Sequence, residues 1–158
     1  GTPMKKIIYD IGGGFIKPVK ALQVGGPLGG VIPIKEVEKL NLDFQEFTKA
    51  GFMLGHGSIV SIPEDFNMIK YIHHLFKFSA EESCGKCFPG RLGSYRGKEM
   101  FDQAVNKTNK IPIKLLNELL ITMQKGSLCA LCGAIPLPIQ NILKYFTEEF
   151  KNDINQEA

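Results

Sequence analysis

The spacing of apolar and polar residues changes near residue 65 of the chain. Before that point, short apolar runs alternate with turns rich in glycine and proline, a pattern typical of β-strands. Residues 43–50 are an exception. They predict a short helix that ends at Gly51, because glycine readily adopts the left-handed conformation of a helix cap. The predicted strands are residues 6–10, 19–24, 31–34 and 58–62.

Beyond residue 65, apolar residues recur at intervals of three and four, which is the spacing of one face of an α-helix. Residues 92–105 predict a second helix after the first. Pro112 and Pro138 each suit the first turn of a further helix, where a missing backbone N–H is tolerated. The first predicted helix carries on one face Phe66, Ile69, Ile72 and Phe76.

These patterns predict an α+β fold with two domains, residues 1–64 and residues 65–158. The 19 Lys and Arg against 16 Asp and Glu leave a net charge of only +3, and no basic cluster points to nucleic acid. No apolar stretch approaches the roughly 18 residues of a membrane-spanning helix, and no secretory signal is visible. We therefore expect a cytoplasmic protein that neither binds nucleic acid nor inserts into a membrane.

All four cysteines lie in two pairs, Cys84 with Cys87 and Cys129 with Cys132, each with two residues between its members. This spacing lets both thiolates of a pair reach one metal centre, and thiolates select zinc or iron–sulfur clusters. The gap between the pairs, residues 88–128, is longer than the roughly 15–20 residues of zinc ribbons. The spacing therefore favours an iron–sulfur cluster. Structural zinc, four buried free thiols and a redox disulfide are the alternatives.

The remaining motifs are weaker. Glycine runs at residues 12–14 and 25–30 neither form a G-x-G-x-x-G that opens a helix nor precede a G-K-[ST] sequence, so we interpret them as tight turns. His73 and His74 lie on a predicted helix and are interpreted as solvated or packed, while His56 in a turn is a spare candidate ligand. The residues predict no NAD or flavin site and no catalytic group, so this chain alone is not expected to be catalytic.

Four segments together resemble a known family: residues 7–14 (IIYDIGGG), 23–30 (QVGGPLGG), 81–87 (EESCGKC) and 127–131 (SLCAL). In this order, and over nearly the whole chain, they resemble the C-terminal half of the NADH-binding flavoprotein subunit of respiratory complex I. The same subunit type recurs in NAD-linked hydrogenases and formate dehydrogenases.

The resemblance implies a soluble-ligand-binding β-grasp domain, truncated at its N-terminus, in residues 1–64. It also implies a four-helix bundle that carries a [4Fe–4S] cluster in residues 65–158. In the family, that cluster takes electrons from a flavin reduced by NADH. FMN and NADH are thus expected only on a missing N-terminal portion or on a partner chain. The implied partners are a flavin/NADH-binding domain or subunit and other redox subunits, in a complex that can be peripheral to a membrane.

The resemblance thus implies the electron-transfer portion of an NADH:acceptor oxidoreductase. The alternative function is a non-catalytic docking scaffold with structural zinc or a lost cluster. The resemblance carries over three cluster ligands, Cys84, Cys87 and Cys129. The family has its remaining cysteine at the position of Gly90, and glycine at that of Cys132. We predict Cys132 as the replacement ligand; three cysteines with an open or non-cysteine fourth site, a [2Fe–2S] cluster and a lost cluster are the alternatives.

Overall fold

The computed structural model describes residues 1–155, and it confirms an α+β chain. The fold divides into two compact units, Gly1–Phe66 and Asn67–Ala158, which we call the strand unit and the helical unit. Across the described residues, no helix has both the length and the apolar character needed to cross a bilayer.

The strand unit is built on a three-stranded antiparallel sheet. Its central strand β1 (Val19–Val24) lies between β2 (Gly30–Pro33) and β3 (Ile59–Pro63). Leu22 of β1 is opposite Ile32 of β2, and both side chains are fully buried. The apolar runs that predicted these three strands are therefore confirmed, and their core joins the buried residues Met4, Ala21, Val24, Val31, Val37, Phe47 and Ile62.

Two short helices complete the strand unit, α1 (Ile34–Val37) and α2 (Phe44–Lys49). The carboxylate of Asp43 accepts hydrogen bonds from the N–H groups of the first turn of α2 and so caps the helix. Gly51 has φ of +82°, the left-handed conformation expected after the last turn. The prediction for α2 is thus confirmed.

The strand predicted at residues 6–10 is wrong. Residues Lys6–Ile11 form a π-helical turn that continues from Met4 and Lys5. Met4 and Ile8 are buried, whereas Ile11 is 71% exposed. Buried residues four positions apart share one face of a helix, whereas a strand would bury alternate residues. The short apolar run did not distinguish these two periods.

The helical unit contains four longer helices: α3 (Met68–Glu82), α4 (Phe88–Val105), α5 (Ile113–Gly126) and α7 (Pro136–Tyr145). A short helix α6 (Ala130–Ala134) precedes α7, and a 3₁₀ turn (Thr147–Phe150) follows it. Strands β4 (Ile111–Pro112) and β5 (Ile154–Asn155) pair in parallel. Two boundaries differ from the prediction. Helix α4 begins at Phe88 rather than residue 92, and α7 begins at Pro136 and ends before the 3₁₀ turn.

Helix α4 packs closely on its neighbours through buried glycines. A Cβ atom at Gly97 would overlap the ring of Phe76 in α3, and one at Gly93 would lie 2.8 Å from the Cγ atom of Met123 in α5. At the surface, the side chains of His73 in α3 and Asp102 in α4 are 2.6 Å apart. The small residues therefore bring α3 and α5 against α4, which fixes where the ends of these helices lie.

We expect Gly97→Ala to lower the free energy of unfolding by about 1–3 kcal/mol, because the added methyl group must displace the Phe76 ring. Urea denaturation of the reduced, metal-free chain, followed by helical circular dichroism, measures the change. Gly133→Ala in α6 is the matched control, since its Cβ would meet only ordinary contacts at 3.7 Å and beyond. Equal stability of Gly97→Ala and the unmodified chain would contradict the packing described here.

Candidate metal centre

The four cysteines lie on two loops at one end of the helical unit. Cys84 and Cys87 belong to the connection between α3 and α4, and Cys87 is the N-cap of α4. Cys129 is the N-cap of α6, and Cys132 lies in the first turn of that helix. The loops touch, because a Cβ at Gly126 would lie only 2.9 Å from the ring of Pro89. The end of α5, which leads into the second loop, thus lies against the start of α4.

The sulfur of Cys87 joins the two loops. The backbone N–H groups of Leu128, on the second loop, and of Gly90, in the first turn of α4, lie near enough to act on its thiol. These N–H groups lower the pKa of the Cys87 thiol, since they stabilise the thiolate. A cysteine at a helix N-terminus is the setting in which thiolates form most readily.

Ser127 places an unpaired polar atom beside this sulfur. Its hydroxyl oxygen is buried and has no hydrogen-bond partner among the described residues. It nevertheless lies near enough to Cys87 to lower the pKa of that thiol further. A buried hydroxyl without a partner lowers the stability of the fold unless a nearby acceptor takes its hydrogen bond. Its position beside Cys87 therefore suits a negatively charged sulfur centre.

Cys132 lies in a more enclosed environment. The residue is only 2% exposed, and burial raises the pKa of its thiol. The hydroxyl of Ser79 donates to its sulfur at 3.9 Å, and the Cys132 thiol donates to the hydroxyl of Ser83 at the same distance. The sulfurs of Cys129 and Cys87 are close enough to raise the pKa of Cys132 by charge repulsion. Three of the four sulfurs therefore interact across the two loops.

Gly90 separates the sulfurs of Cys87 and Cys132. A Cβ atom at this position would lie 2.9 Å from the first sulfur and 3.0 Å from the second. These distances are shorter than van der Waals contact, so the absence of a side chain at position 90 is what admits the Cys132 sulfur.

The outer side of the centre is open. Cys84 and Cys129 are exposed. Phe88 and Leu128, which adjoin the cysteines in sequence, are 69% and 77% exposed. The guanidinium of Arg91 lies 5.2 Å from the centre of the Phe88 ring.

The donors at this end of the helical unit are compatible with an iron–sulfur cluster. Within residues 1–155, no group of three or more His, Cys, Asp or Glu side chains is spaced to hold one metal ion. Tetrahedral ligation of one ion with bonds of ~2.3 Å requires sulfurs about 3.8 Å apart. A [4Fe–4S] cluster takes one thiolate on each of its irons and so accepts wider spacing. Four thiols, the N–H groups at Cys87 and the unpaired Ser127 hydroxyl are a donor set that fits such a cluster.

Each histidine has neighbours of its own. His73 is engaged with Asp102, and the ring of His74 is 6.4 Å from that of Tyr71. His56 belongs to the strand unit, where its ring lies against Gly26. Sequence reasoning missed the hydroxyl groups, and a signal was present, because a serine precedes each cysteine pair at Ser83 and Ser127.

Comparison with known proteins identifies the family. Residues 70–153 match the family described as the NADH-ubiquinone oxidoreductase-F iron-sulfur binding region, and the chain belongs to that family. The resemblance predicted from sequence is thereby confirmed, together with the [4Fe–4S] cofactor that it implied.

Individual proteins of similar sequence agree with membership of this family. The chain is 30% identical to the HndC protein of the NADP-reducing hydrogenase of Solidesulfovibrio fructosivorans over 99% of its own length and 32% of the relative's. It is 32% identical to the F component of the NADH-quinone oxidoreductase of Rickettsia bellii (strain OSU 85-389), over 98% of its length and 38% of the relative's. The chain thus spans about a third of the length of these curated relatives.

Solved structures share the fold. An NAD⁺-reducing [NiFe]-hydrogenase in the H₂-reduced state superposes with a TM-score of 0.85 at 19% identity, covering 100% of this chain and 27% of the hydrogenase chain. The air-oxidised state gives a TM-score of 0.83 at 21% identity, covering 98% of this chain and 26% of that one.

We predict that the thiols of Cys87 and Cys132 react at different rates in the metal-free chain. Thiolates are the species that iodoacetamide alkylates. The lowered pKa of Cys87 keeps it deprotonated at lower pH, while burial and a raised pKa protect Cys132. Peptide mass spectrometry across a pH series should therefore show Cys87 modified at lower pH than Cys132, and the difference should disappear in urea. Equal rates in the folded chain would contradict the arrangement.

Proposed function

We propose that this chain is the iron–sulfur electron-transfer portion of an NADH:acceptor oxidoreductase. The observation that carries the proposal is the contact between the cysteine loops, in which the sulfurs of Cys87 and Cys132 lie 2.9 Å and 3.0 Å from the Cβ that Gly90 lacks. This contact supports one centre held by both loops. Membership of an iron–sulfur binding family supports the same conclusion.

Four thiolates would hold the cluster, those of Cys84, Cys87, Cys129 and Cys132. The bound cluster would supply a centre that takes up and releases one electron. The protein sets the affinity of such a centre for electrons through hydrogen bonds to sulfur, burial and nearby charge. Here the N–H groups at Cys87 and the Ser127 hydroxyl would favour the more negative, reduced state, as would the cations Lys86 and Arg91 on the first loop.

Flavin and nicotinamide would bind elsewhere. The chain corresponds to about a third of its relatives, so we assign FMN and NADH to a portion outside this sequence or to a partner chain. The partners would be that flavin/NADH-binding domain or subunit and additional redox subunits. We place the protein in the cytoplasm, where it would attach peripherally to a membrane only as part of a complex. By itself, this chain would not oxidise NADH.

The fold supports this assignment. We infer that the strand unit, with its three-stranded antiparallel sheet, is a soluble-ligand-binding β-grasp domain covering residues 1–64. The helical unit, with four longer helices, would be the iron–sulfur four-helix bundle of residues 65–158. The alternative is a non-catalytic docking scaffold with structural zinc or a lost cluster.

Anaerobic reconstitution with ferrous iron and sulfide tests the proposal. We expect about four irons and four sulfides per chain and a broad visible absorption that one-electron reduction with dithionite bleaches reversibly. NADH added alone should leave the spectrum unchanged. Cys84→Ser and Cys87→Ser should reduce the bound iron and sulfide, while Gly133→Ala, close to the centre but without a ligand role, should not. A colourless chain that binds one zinc ion and no sulfide would overturn the proposal.

A further inference from the structure

We propose that the sulfur of Cys132 occupies the ligand position that a cysteine at residue 90 would otherwise fill, so that each loop supplies two ligands. This inference rests on the proposed cluster and specifies how its fourth iron is bound. It makes Gly90 a required partner of Cys132, although glycine offers no ligand of its own.

The first observation is the equivalence of the two helix starts. Cys87 is the N-cap of α4, and Gly90 is the third residue of that helix. Cys129 is the N-cap of α6, and Cys132 is the third residue of that helix. Residues three apart at a helix start lie on the same face. A second sulfur beside an N-cap cysteine can therefore come from the third position of either helix, and only α6 has a cysteine there.

The second observation is that these two third positions face each other. The Cβ that Gly90 lacks would lie 3.0 Å from the sulfur of Cys132 and 3.2 Å from its Cβ. The same Cβ would lie 2.9 Å from the sulfur of Cys87. The side chain of Cys132 thus fills the space directly above the α carbon of Gly90. A side chain at both positions would not fit without displacing a sulfur.

The third observation is that the Cys132 side chain is held in this place. It is 2% exposed, and its sulfur lies 3.9 Å from the hydroxyls of Ser79 and Ser83, both contributed by the α3 side of the centre. On ligation, the Cys132 thiol gives its proton to solvent, and the resulting thiolate donates an electron pair to iron. No electron is transferred in that step. Both serine hydroxyls can rotate to donate to the thiolate, which offsets the cost of burying its charge.

Two ligands from each loop have a mechanical consequence. A cluster bound in this way links the start of α4 to the start of α6 by two bonds on each side. A three-plus-one arrangement would link α6 by one bond only. The loss of the Cys132 ligand should therefore loosen the second loop as well as expose an iron.

Four test variants and two reference variants, Cys129→Ser and Gly133→Ala, examine the inference, with bound iron, acid-labile sulfide and the rate of iron loss to a chelator as readouts. Cys132→Ser should lose iron and sulfide about as completely as Cys129→Ser. Cys132→Gly should lose them too, and the exchange Cys132→Gly with Gly90→Cys should restore them. Gly90→Ala should lose iron faster although it removes no ligand, because its methyl group would lie 3.0 Å from the sulfur and 3.2 Å from the Cβ of Cys132, a side chain that the exchange variant lacks. Gly133→Ala should retain the cluster, which controls for any change in α6.

The outcomes are separable from those of the proposed function. If the unmodified chain itself takes up no iron and sulfide, the proposed function fails. If the unmodified chain is loaded but Cys132→Ser retains full iron, sulfide and chelator resistance, the inference is overturned. Failure of the exchange variant to recover the cluster lost by Cys132→Gly, with helical circular dichroism unchanged, would also overturn it.

Discussion

The close approach of the Cys87 and Cys132 sulfurs beside Gly90 is the contact on which the candidate centre depends, because these sulfurs lie 2.9 Å and 3.0 Å from the Cβ that Gly90 lacks. It joins two loops that are far apart in sequence, and it does so at the start of α4, where the N–H groups of the first turn have no partners within the helix. The backbone N–H groups of Leu128 and Gly90 lower the pKa of the Cys87 thiol. A thiolate satisfies these donors better than a neutral thiol, so the backbone prepares one sulfur for ligation in advance.

This contact requires that α4 and α5 approach closely, and the glycines of α4 allow it. Gly93 faces Met123 and Gly97 faces Phe76, so the helix axes come nearer than larger residues would permit. The end of α5 then brings Gly126 against Pro89, which lies two residues after Cys87. Helix packing in the interior thereby determines the geometry of loops that are themselves open to solvent.

Much of this organisation was predictable from the sequence, because it depends on local patterns. The two cysteine pairs, the three strands and the long helices each have a spacing that specifies them. The π-helical turn Lys6–Ile11 was not predictable, because an apolar run so short fits either period. The contact between Gly90 and Cys132 was also out of reach, since it depends on two helix starts meeting in space. The buried hydroxyl of Ser127 is a third such feature, because its lack of a partner appears only once the loops are placed.

The central claim is that four thiolates from two loops hold one iron–sulfur cluster. Iron K-edge X-ray absorption of the anaerobically reconstituted chain tests it most directly, because the fine structure reports the atoms bound to each iron. We expect a first shell made only of sulfur at about 2.3 Å, together with scattering between neighbouring irons. An oxygen or nitrogen scatterer in the first shell, or the absence of scattering between irons, would contradict it.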